Sequence, residues 1–86
     1  MSLGRKLDIS NAVQANKRRF PIKAQILDFQ GEAAIASRLL ELGLREGLEI
    51  SIEGRAPFSG PYIIRFGPTA IALRGEEAQC TLIKLL

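Results

Sequence analysis

The chain has 86 residues, of which 47% are hydrophobic and 24% are charged, which suits one small globular domain and excludes both a two-domain enzyme and a disordered chain. Its formal net charge of +3 is unevenly distributed, because residues 1–23 hold six bases and one acid while residues 24–86 hold six bases and eight acids. The basic character therefore belongs to the N-terminal part, and a groove that tracks nucleic-acid phosphates on the slightly acidic remainder is disfavoured.

Neither a membrane segment nor a disulfide is expected in this chain. No run approaches the ~18 apolar residues of a membrane span, and the N-terminus lacks the apolar stretch of a secretory signal. Because Cys80 is the only cysteine, an intramolecular disulfide and a cysteine-based metal cluster are excluded. We therefore expect a cytosolic protein.

Residues 1–20 form a basic arm with a weak hydrophobic pattern. Ser10 is placed to cap a short helix, but the cluster of cations at Lys17–Arg19 and several asparagines dilute any apolar stripe. We predict that this arm is flexible or loosely docked. The folded domain is then predicted to cover residues 21–86.

The first strand of that domain is predicted to begin at Pro21. Ile22, Ala24 and Ile26 alternate with polar residues and so share one face of a strand, before a turn at residues 28–31. A hydrophobic core is therefore expected to begin at this strand.

One helix is predicted from about Glu32 to Leu42, where Leu39 and Leu42 recur at helical spacing. Gly43 follows the last periodic residue, and glycine adopts at low cost the left-handed conformation that ends many helices. Leu44 is then placed to contact Leu39, as in a Schellman motif. We expect this helix to cover the barrel.

Four further short strands follow the helix, separated by closely spaced glycines and prolines. The first is predicted to begin at Leu48, with Ile50 and Ile52 on the same face, and the others are predicted at Tyr62–Phe66, Ala70–Leu73 and Thr81–Leu85. Between them we expect an exposed loop at 56–61, a hairpin turn at Gly67-Pro68 and one helical turn at 75–80. The prediction is a mainly β fold: a small, closed, SH3-like five-stranded barrel with one α-helix between the first two strands and a short helical turn before the last.

Six short motifs occur in order along this part of the chain. They are Arg38-Leu39-Leu40, Leu42-Gly43-Leu44, Gly47, Arg55-Ala56-Pro57, Gly60-Pro61 and Ala72-Leu73-Arg74. In this order and at these spacings they resemble the FeoA family, over roughly residues 22–85. FeoA is the small cytosolic component of the bacterial Feo system, whose membrane partner FeoB carries a GTPase domain and moves ferrous iron inward. The resemblance implies an SH3-like barrel and a role in that uptake.

Two features depart from the family pattern. The turn after the helix contains Glu46-Gly47, where a Pro-Gly is common in the family, and the usual N-terminal leader is replaced by the basic arm. The same fold is also appended to iron-dependent transcriptional regulators, but no DNA-binding helical domain precedes it in this chain. We therefore expect the free-standing form.

Candidate partner-binding residues lie on the helix and on the loops. They are Arg38, Leu44, Arg55, Pro57, Phe58 and Arg74. Prolines at both ends of the 57–61 loop rigidify it around an aromatic ring that is suited to recognition, although Phe58 folding back as a barrel plug is an equally open alternative. Arg38 offers a planar fork of donors to a partner, or pairs within the helix with Glu41.

No catalytic residue, cofactor or metal ligand set is predicted. The chain has no histidine, no glycine-rich phosphate loop and no carboxylate pair at a defined spacing. Glu49 and Glu53 share a strand face but lie about 13 Å apart at the usual rise of a strand. Cys80 is expected to be a small core residue, and Tyr62 is expected in the core or at its rim.

The function predicted from these residues is that of a non-catalytic adaptor or regulator of ferrous iron uptake, which binds the GTPase domain or another cytosolic region of FeoB. The alternative is a metal-responsive sensor module like that of the iron-dependent regulators. The residues leave open whether the chain forms a homo-oligomer. No nucleic-acid partner is expected, and contact with the membrane is expected only through FeoB. For the basic arm, binding to nucleic acid or to the anionic leaflet remain alternatives.

Overall fold

The computed structural model describes residues 6–86 and is built mainly of β-strands. The elements are β1 (Leu7–Asp8), α1 (Ile9–Ala15), β2 (Ile22–Phe29), α2 (Ala33–Glu41), β3 (Glu49–Arg55), β4 (Tyr62–Phe66), β5 (Thr69–Leu73), α3 (Gly75–Gln79) and β6 (Thr81–Leu85). The strands form one sheet in the order β1-β6-β2-β3-β4-β5, and each neighbouring pair is antiparallel.

The predicted fold class is confirmed, with one difference in how the sheet is completed. The five predicted strands, the helix between the first two and the helical turn before the last are all present. Within residues 6–86, no ladder joins β5 to β1, so these two strands are edges of an open sheet. Helices complete the gap instead, because α1 packs on β1 and on α3, and α3 packs on β5.

Residues 7–15, which belong to the predicted arm of residues 1–20, form β1 and α1. The carboxylate of Asp8 accepts a hydrogen bond of 2.7 Å from the backbone N–H of Asn11, so Asp8 caps α1 in place of the predicted Ser10. Ile9, Ala12 and Val13 lie on one face of α1 and are buried. Their spacing of three and four residues is that of a helix face against a core. Residues 1–5 of the predicted arm lie outside the described residues.

One hydrophobic core joins this segment to the rest of the chain. Its fully buried large side chains come from α1, α2, the turn after α2 and strands β2 to β6: Ile9, Val13, Ile26, Leu39, Leu44, Ile52, Tyr62, Ile64, Leu73 and Ile83. The core thus contains residues from both sides of the predicted boundary at residue 20. No helix of the described part of the chain is long and apolar enough to cross a membrane.

The C-terminal end of α2 is the predicted Schellman motif. The N–H of Leu44 donates to the carbonyl of Leu39 at 3.1 Å, and the N–H of Gly43 donates to the carbonyl of Leu40 at 3.0 Å. Gly43 has a φ of +103°, in the region that favours glycine. This turn leads the chain from α2 back toward β3.

Candidate partner-binding surface

Four of the six predicted partner-binding residues lie at one end of the sheet. Arg55 at the end of β3 is opposite Tyr62 at the start of β4, and Tyr62 is opposite Leu73 at the end of β5. The loop of residues 56–61 and Arg74 follow directly from these positions, and we call this end of the sheet the loop end. It therefore carries Arg55, Pro57, Phe58 and Arg74.

The loop of residues 56–61 is closed by its own backbone hydrogen bonds. The N–H of Ala56 donates to the carbonyl of Pro61 at 2.9 Å, and the N–H of Gly60 lies 3.2 Å from the carbonyls of both Ala56 and Pro57. Phe58 and Ser59 at the tip have φ values of +60° and +58°, a conformation that costs free energy for residues with a Cβ. The backbone bonds hold the tip in this strained form.

Phe58 at that tip is 98% exposed. The alternative in which its ring plugs the barrel is therefore wrong. Isolated exposed apolar side chains are common on proteins and need no explanation. An aromatic ring held in water by a strained and hydrogen-bonded loop is a stronger indication of a contact surface.

Arg55 and Gly60 fix the loop to the strand below it. The Nε of Arg55 donates to the carbonyl of Gly60 at 3.0 Å, and its guanidinium lies over the ring of Tyr62, with Cζ at 4.5 Å from the ring centroid. A Cβ on Gly60 would lie 2.7 Å from the Cβ of Ala56, so only glycine fits without movement. Arg55 thus supports the loop, while Tyr62 is in the core as predicted.

Arg38 pairs with a residue that the sequence did not single out for it. Its Nε lies 2.6 Å from the Oε2 of Glu77 on α3, and Glu77 is 5% exposed while Arg38 is 60% exposed. The predicted pairing with Glu41 is therefore replaced by a link between α2 and α3. The other oxygen of Glu77 accepts the backbone N–H of Arg74 at 2.9 Å. The spacing of three residues at a helix start is that of a capping box, but Arg74 is not one of the usual N-cap residues, so the sequence signal for Glu77 is incomplete.

The surroundings of Glu77 keep its carboxylate charged. Burial raises the pKa of Glu77, but the hydrogen bonds from the backbone of Arg74 and the side chain of Arg38, with the positive charges of both residues, outweigh that effect. The pKa of Glu77 therefore lies below the ordinary value of a glutamate. This site is a structural link that leaves most of the Arg38 surface accessible.

Leu44 is not available to a partner. The structure places it in the core at 0% exposure, because the Schellman motif turns the residue after Gly43 back over Leu39. Its prediction as a contact residue is therefore corrected. Leu44 is a packing residue.

A cleft of about 610 Å³, which the sequence did not indicate, opens on the sheet. It is lined by Lys23, Glu49, Ile50, Ser51, Arg65, Phe66, Gly67 and Leu86. The hydroxyl of Ser51 donates to the carboxylate of Glu53, whose other oxygen lies 3.8 Å from the Nε of Arg65. Charges of both signs on side chains that are partly in water suit a wet surface contact better than a buried ligand site.

Groups that commonly bind metals do not cluster in the described structure. Among residues 6–86, no three side chains of histidine, cysteine, aspartate or glutamate are placed to hold a metal ion together. Cys80 is half-buried, with its sulfur in the space that a Cβ on Gly31 would occupy. Burial raises the pKa of Cys80, and the negative charges of Glu32, Glu76 and Asp8 add to that effect. Its thiol is therefore protonated at neutral pH.

Solved structures show the same fold in small FeoA proteins and in part of the larger protein ScaR. An FeoA-like protein from Clostridium acetobutylicum superposes with a TM-score of 0.78 at 24% identity, over 100% of this chain and 91% of that one. An iron uptake regulatory protein (FeoA) superposes with a TM-score of 0.74 at 20% identity, over 95% of this chain and 99% of that one. ScaR with bound Zn²⁺ superposes with a TM-score of 0.79 at 19% identity, and the match covers 100% of this chain but 40% of ScaR.

Sequence comparison assigns the family. No curated protein matches the chain, whereas the model of the FeoA domain matches residues 22–85. This match begins at β2, ends at the last residue of β6 and includes the loop end of the sheet. Since it spans well over half of the sequence, the chain belongs to the FeoA family.

Proposed function

We propose that this protein is a non-catalytic adaptor or regulator of ferrous iron uptake, which acts by binding a cytosolic region of the membrane GTPase transporter FeoB. Membership of the FeoA family supports a role in ferrous iron uptake. The observation that carries the binding mode is the closed loop of residues 56–61, which holds Phe58 at 98% exposure. The protein itself performs no chemistry in this proposal.

The loop has the properties of a preformed anchor. Its backbone is already ordered by internal hydrogen bonds and by Arg55, so little conformational entropy is lost when a partner binds. An aromatic side chain that fills a pocket on a partner commonly contributes a large share of the binding free energy. Arg74 at the same end supplies a polar rim, which suits the usual anatomy of an interface.

Binding of this kind regulates a transporter when the adaptor favours one of its working states. A ligand shifts a conformational equilibrium only by the difference between its affinities for the two states. We therefore expect the affinity for FeoB to depend on the nucleotide bound to its GTPase domain, if that domain is the contact.

Calorimetry with the full chain and the separate cytosolic regions of FeoB tests this proposal. Phe58→Ala is expected to weaken binding by at least about tenfold, which corresponds to ~1.4 kcal/mol. Leu40→Ala is the matched control, because Leu40 is an exposed hydrophobic residue on α2, away from the loop. If neither the cytosolic regions nor the intact transporter bind the wild-type chain, the proposal fails.

The alternative of a metal-responsive module is motivated by the shared fold with ScaR, which was solved with Zn²⁺ bound. A ligand that binds the native state raises its stability by mass action. Anaerobic thermal melts with increasing ferrous iron therefore separate the two functions. A melting temperature that rises with iron at stoichiometric ratios favours the sensor, and an unchanged melt with intact FeoB binding favours the adaptor.

A further inference from the structure

We propose that the loop end of this protein docks on an anionic lipid surface, through a basic turn of residues 17–19 and the exposed leucines at the end of β6. This inference goes beyond the binding of FeoB, because it requires only the chain and a lipid bilayer. It rests on three observations: the basic turn has a fixed backbone conformation, its three cations form no ion pair within residues 6–86, and exposed apolar residues lie beside it.

The basic turn is a fixed part of the fold. Its three N–H groups each donate to a carbonyl of α1 or of the turn itself: Lys17 to Gln14 at 2.9 Å, Arg18 to Val13 at 2.9 Å and Arg19 to Asn16 at 3.2 Å. The side-chain amide of Asn16 also donates to the carbonyl of Arg19 at 3.1 Å. Since α1 is anchored in the core by Val13, the three cations are held at a defined place.

The three cations of the turn are free to meet an external anion. Lys17, Arg18 and Arg19 are exposed, and none of them forms an ion pair within residues 6–86. Lys17 and Arg18 have φ values of +55° and +56°, a left-handed conformation that neither residue favours. The fold thus maintains a strained turn that concentrates positive charge without internal neutralisation.

Exposed apolar residues lie at the same end of the sheet as this turn. The turn leads through Phe20 and Pro21 into the start of β2, where Ala24 is opposite Leu85 of β6. The backbone N–H of Leu86 donates to the carbonyl of Lys23 at 3.0 Å. Leu85 and Leu86 are 41% and 63% exposed, so two leucines and a fourth cation, Lys23, lie where the basic turn enters the sheet, with Glu49 as the one acid that lines the cleft shared by Lys23 and Leu86.

This combination matches the chemistry of a lipid surface better than that of a nucleic acid. Lysine and arginine are attracted to anionic headgroups, and neighbouring leucines gain by entering the acyl boundary. Recognition of single-stranded nucleic acid instead uses aromatic side chains for stacking beside the cations. Phe20, the aromatic residue next to the turn, is packed against the core, and among residues 6–86 Phe58 on the separate 56–61 loop is the one exposed large aromatic side chain, too few for a stacking platform. The opposite end of the sheet contains Asp28, Glu32 and Glu46 near its turns, with Arg45 as the one cation among them, so its net negative charge favours one orientation on an anionic surface.

The proposed lipid contact is compatible with the proposed binding of FeoB. The 56–61 loop, which follows β3, and the basic turn, which precedes β2, lie at the same end of the sheet, since Ile22 is opposite Ile52. A protein lying on the leaflet through the basic turn would therefore present Phe58 close to the membrane. A partner embedded in that membrane is accessible from this position.

Co-sedimentation of the full chain with lipid vesicles tests the inference without any transporter. Vesicles with about 30% phosphatidylserine should bind the wild-type chain, vesicles of phosphatidylcholine alone should not, and high salt should release it. Each cation at such a surface contributes about fivefold to partitioning. The triple variant Lys17→Gln, Arg18→Gln, Arg19→Gln should therefore bind anionic vesicles roughly 100-fold more weakly than the wild-type chain.

Matched variants separate the lipid contact from other effects of charge. Arg45→Gln removes an exposed cation at the opposite end and should leave vesicle binding unchanged. Leu86→Ser should weaken vesicle binding severalfold while leaving its salt dependence intact. Circular dichroism melts confirm that each variant is folded.

Three results would overturn the inference. The first is that the wild-type chain binds neutral vesicles as well as anionic ones. The second is that the triple variant binds anionic vesicles as well as the wild-type chain does. The third is that the chain does not bind vesicles but binds a duplex DNA probe in a way that depends on the three cations. In the absence of lipid, the triple variant should still bind FeoB regions. If Phe58→Ala loses the binding of FeoB and the triple variant keeps it, the lipid contact and the FeoB contact are separate, and each proposal succeeds or fails by itself.

Discussion

Glu77 is nearly buried, and yet its environment favours the charged form. Two donors reach its carboxylate, the side chain of Arg38 at 2.6 Å and the backbone of Arg74 at 2.9 Å, and together they outweigh the effect of burial on its pKa. Because the pKa is lowered in the folded protein, this carboxylate stabilises the fold above the unfolded pKa. The stabilisation is lost as the pH falls through the folded pKa.

We predict that Glu77→Gln lowers the free energy of unfolding at pH 7 by about 1–3 kcal/mol, because a charge-assisted hydrogen bond between α2 and α3 is lost. The difference between the variant and the wild-type protein should shrink as the pH falls below the ordinary glutamate value of 4.5. Urea denaturation at pH 7 and at several acidic pH values measures both effects. Glu76→Gln, an exposed neighbour, is the control. An equal loss in the two variants would contradict this role of Glu77.

A second prediction at the residue scale concerns Gly60. In Gly60→Ala the new Cβ would lie 2.7 Å from the Cβ of Ala56 and 3.1 Å from the carbonyl oxygen of Pro57, so the loop must open. We expect a loss of about 1–3 kcal/mol of stability and weaker binding of FeoB, since Phe58 is no longer held. Thermal melts and calorimetry measure the two effects. In Gly54→Ala the added Cβ meets no atom within 4 Å, and this variant should lose less stability.

At the scale of elements, α1 joins the arm to the core. We predict that Ile9→Ala, which removes a buried side chain of α1, costs about 2–5 kcal/mol. Gln14→Ala on the exposed face of the same helix should be close to neutral. Chemical denaturation of both variants tests whether the segment is part of the cooperative unit. A near-zero effect of Ile9→Ala would favour the loosely docked arm.

The elements differ in how well their sequences predict them, and α2 and α1 show why. Gly43 and the periodic leucines before it carry a complete local signal, and the observed Schellman motif confirms the predicted helix end. The helix α1 has only seven residues, and its three buried positions lie beside cations and asparagines that weaken the pattern. Its stability comes from packing against β6 and α3, and such tertiary contacts are not encoded in local periodicity.

On the candidate partner-binding surface, too, the sequence predicts local features but not contacts between distant elements. Prolines and an aromatic residue mark the loop around Phe58 in the sequence, and the conformation of the loop is local. The partner of Arg38 could not be predicted, because Glu77 lies 39 residues further along the chain. The sequence places Leu44 among the contact residues, whereas the Schellman motif that contains it turns Leu44 back onto Leu39 and buries it. Local motifs therefore identify the loop, whereas contacts between distant elements decide which of the other residues reach solvent.

At the scale of the whole molecule, the antiparallel order of the strands brings separate segments to one end. The basic turn before β2, the loop after β3 and the last residues of β6 are far apart in sequence, and the register of the sheet makes them neighbours. Among residues 6–86, four large hydrophobic residues are exposed, of which Phe58, Leu85 and Leu86 belong to this end and Leu40 does not. The asymmetry supports a molecule that meets its surroundings in one orientation.

The pairing of β1 with β6 has a consequence for how this chain can be rearranged. Leu7 is opposite Ile83, so the first and last described strands are neighbours, and a short flexible linker could connect residue 86 to residue 6. New ends opened in the turn at Gly67-Pro68 would then create a circular permutant with an unchanged strand order. Such a permutant places its new ends, and any fused reporter or affinity tag, at the turn between β4 and β5, whereas Phe58 lies at the other end of that hairpin and stays unobstructed.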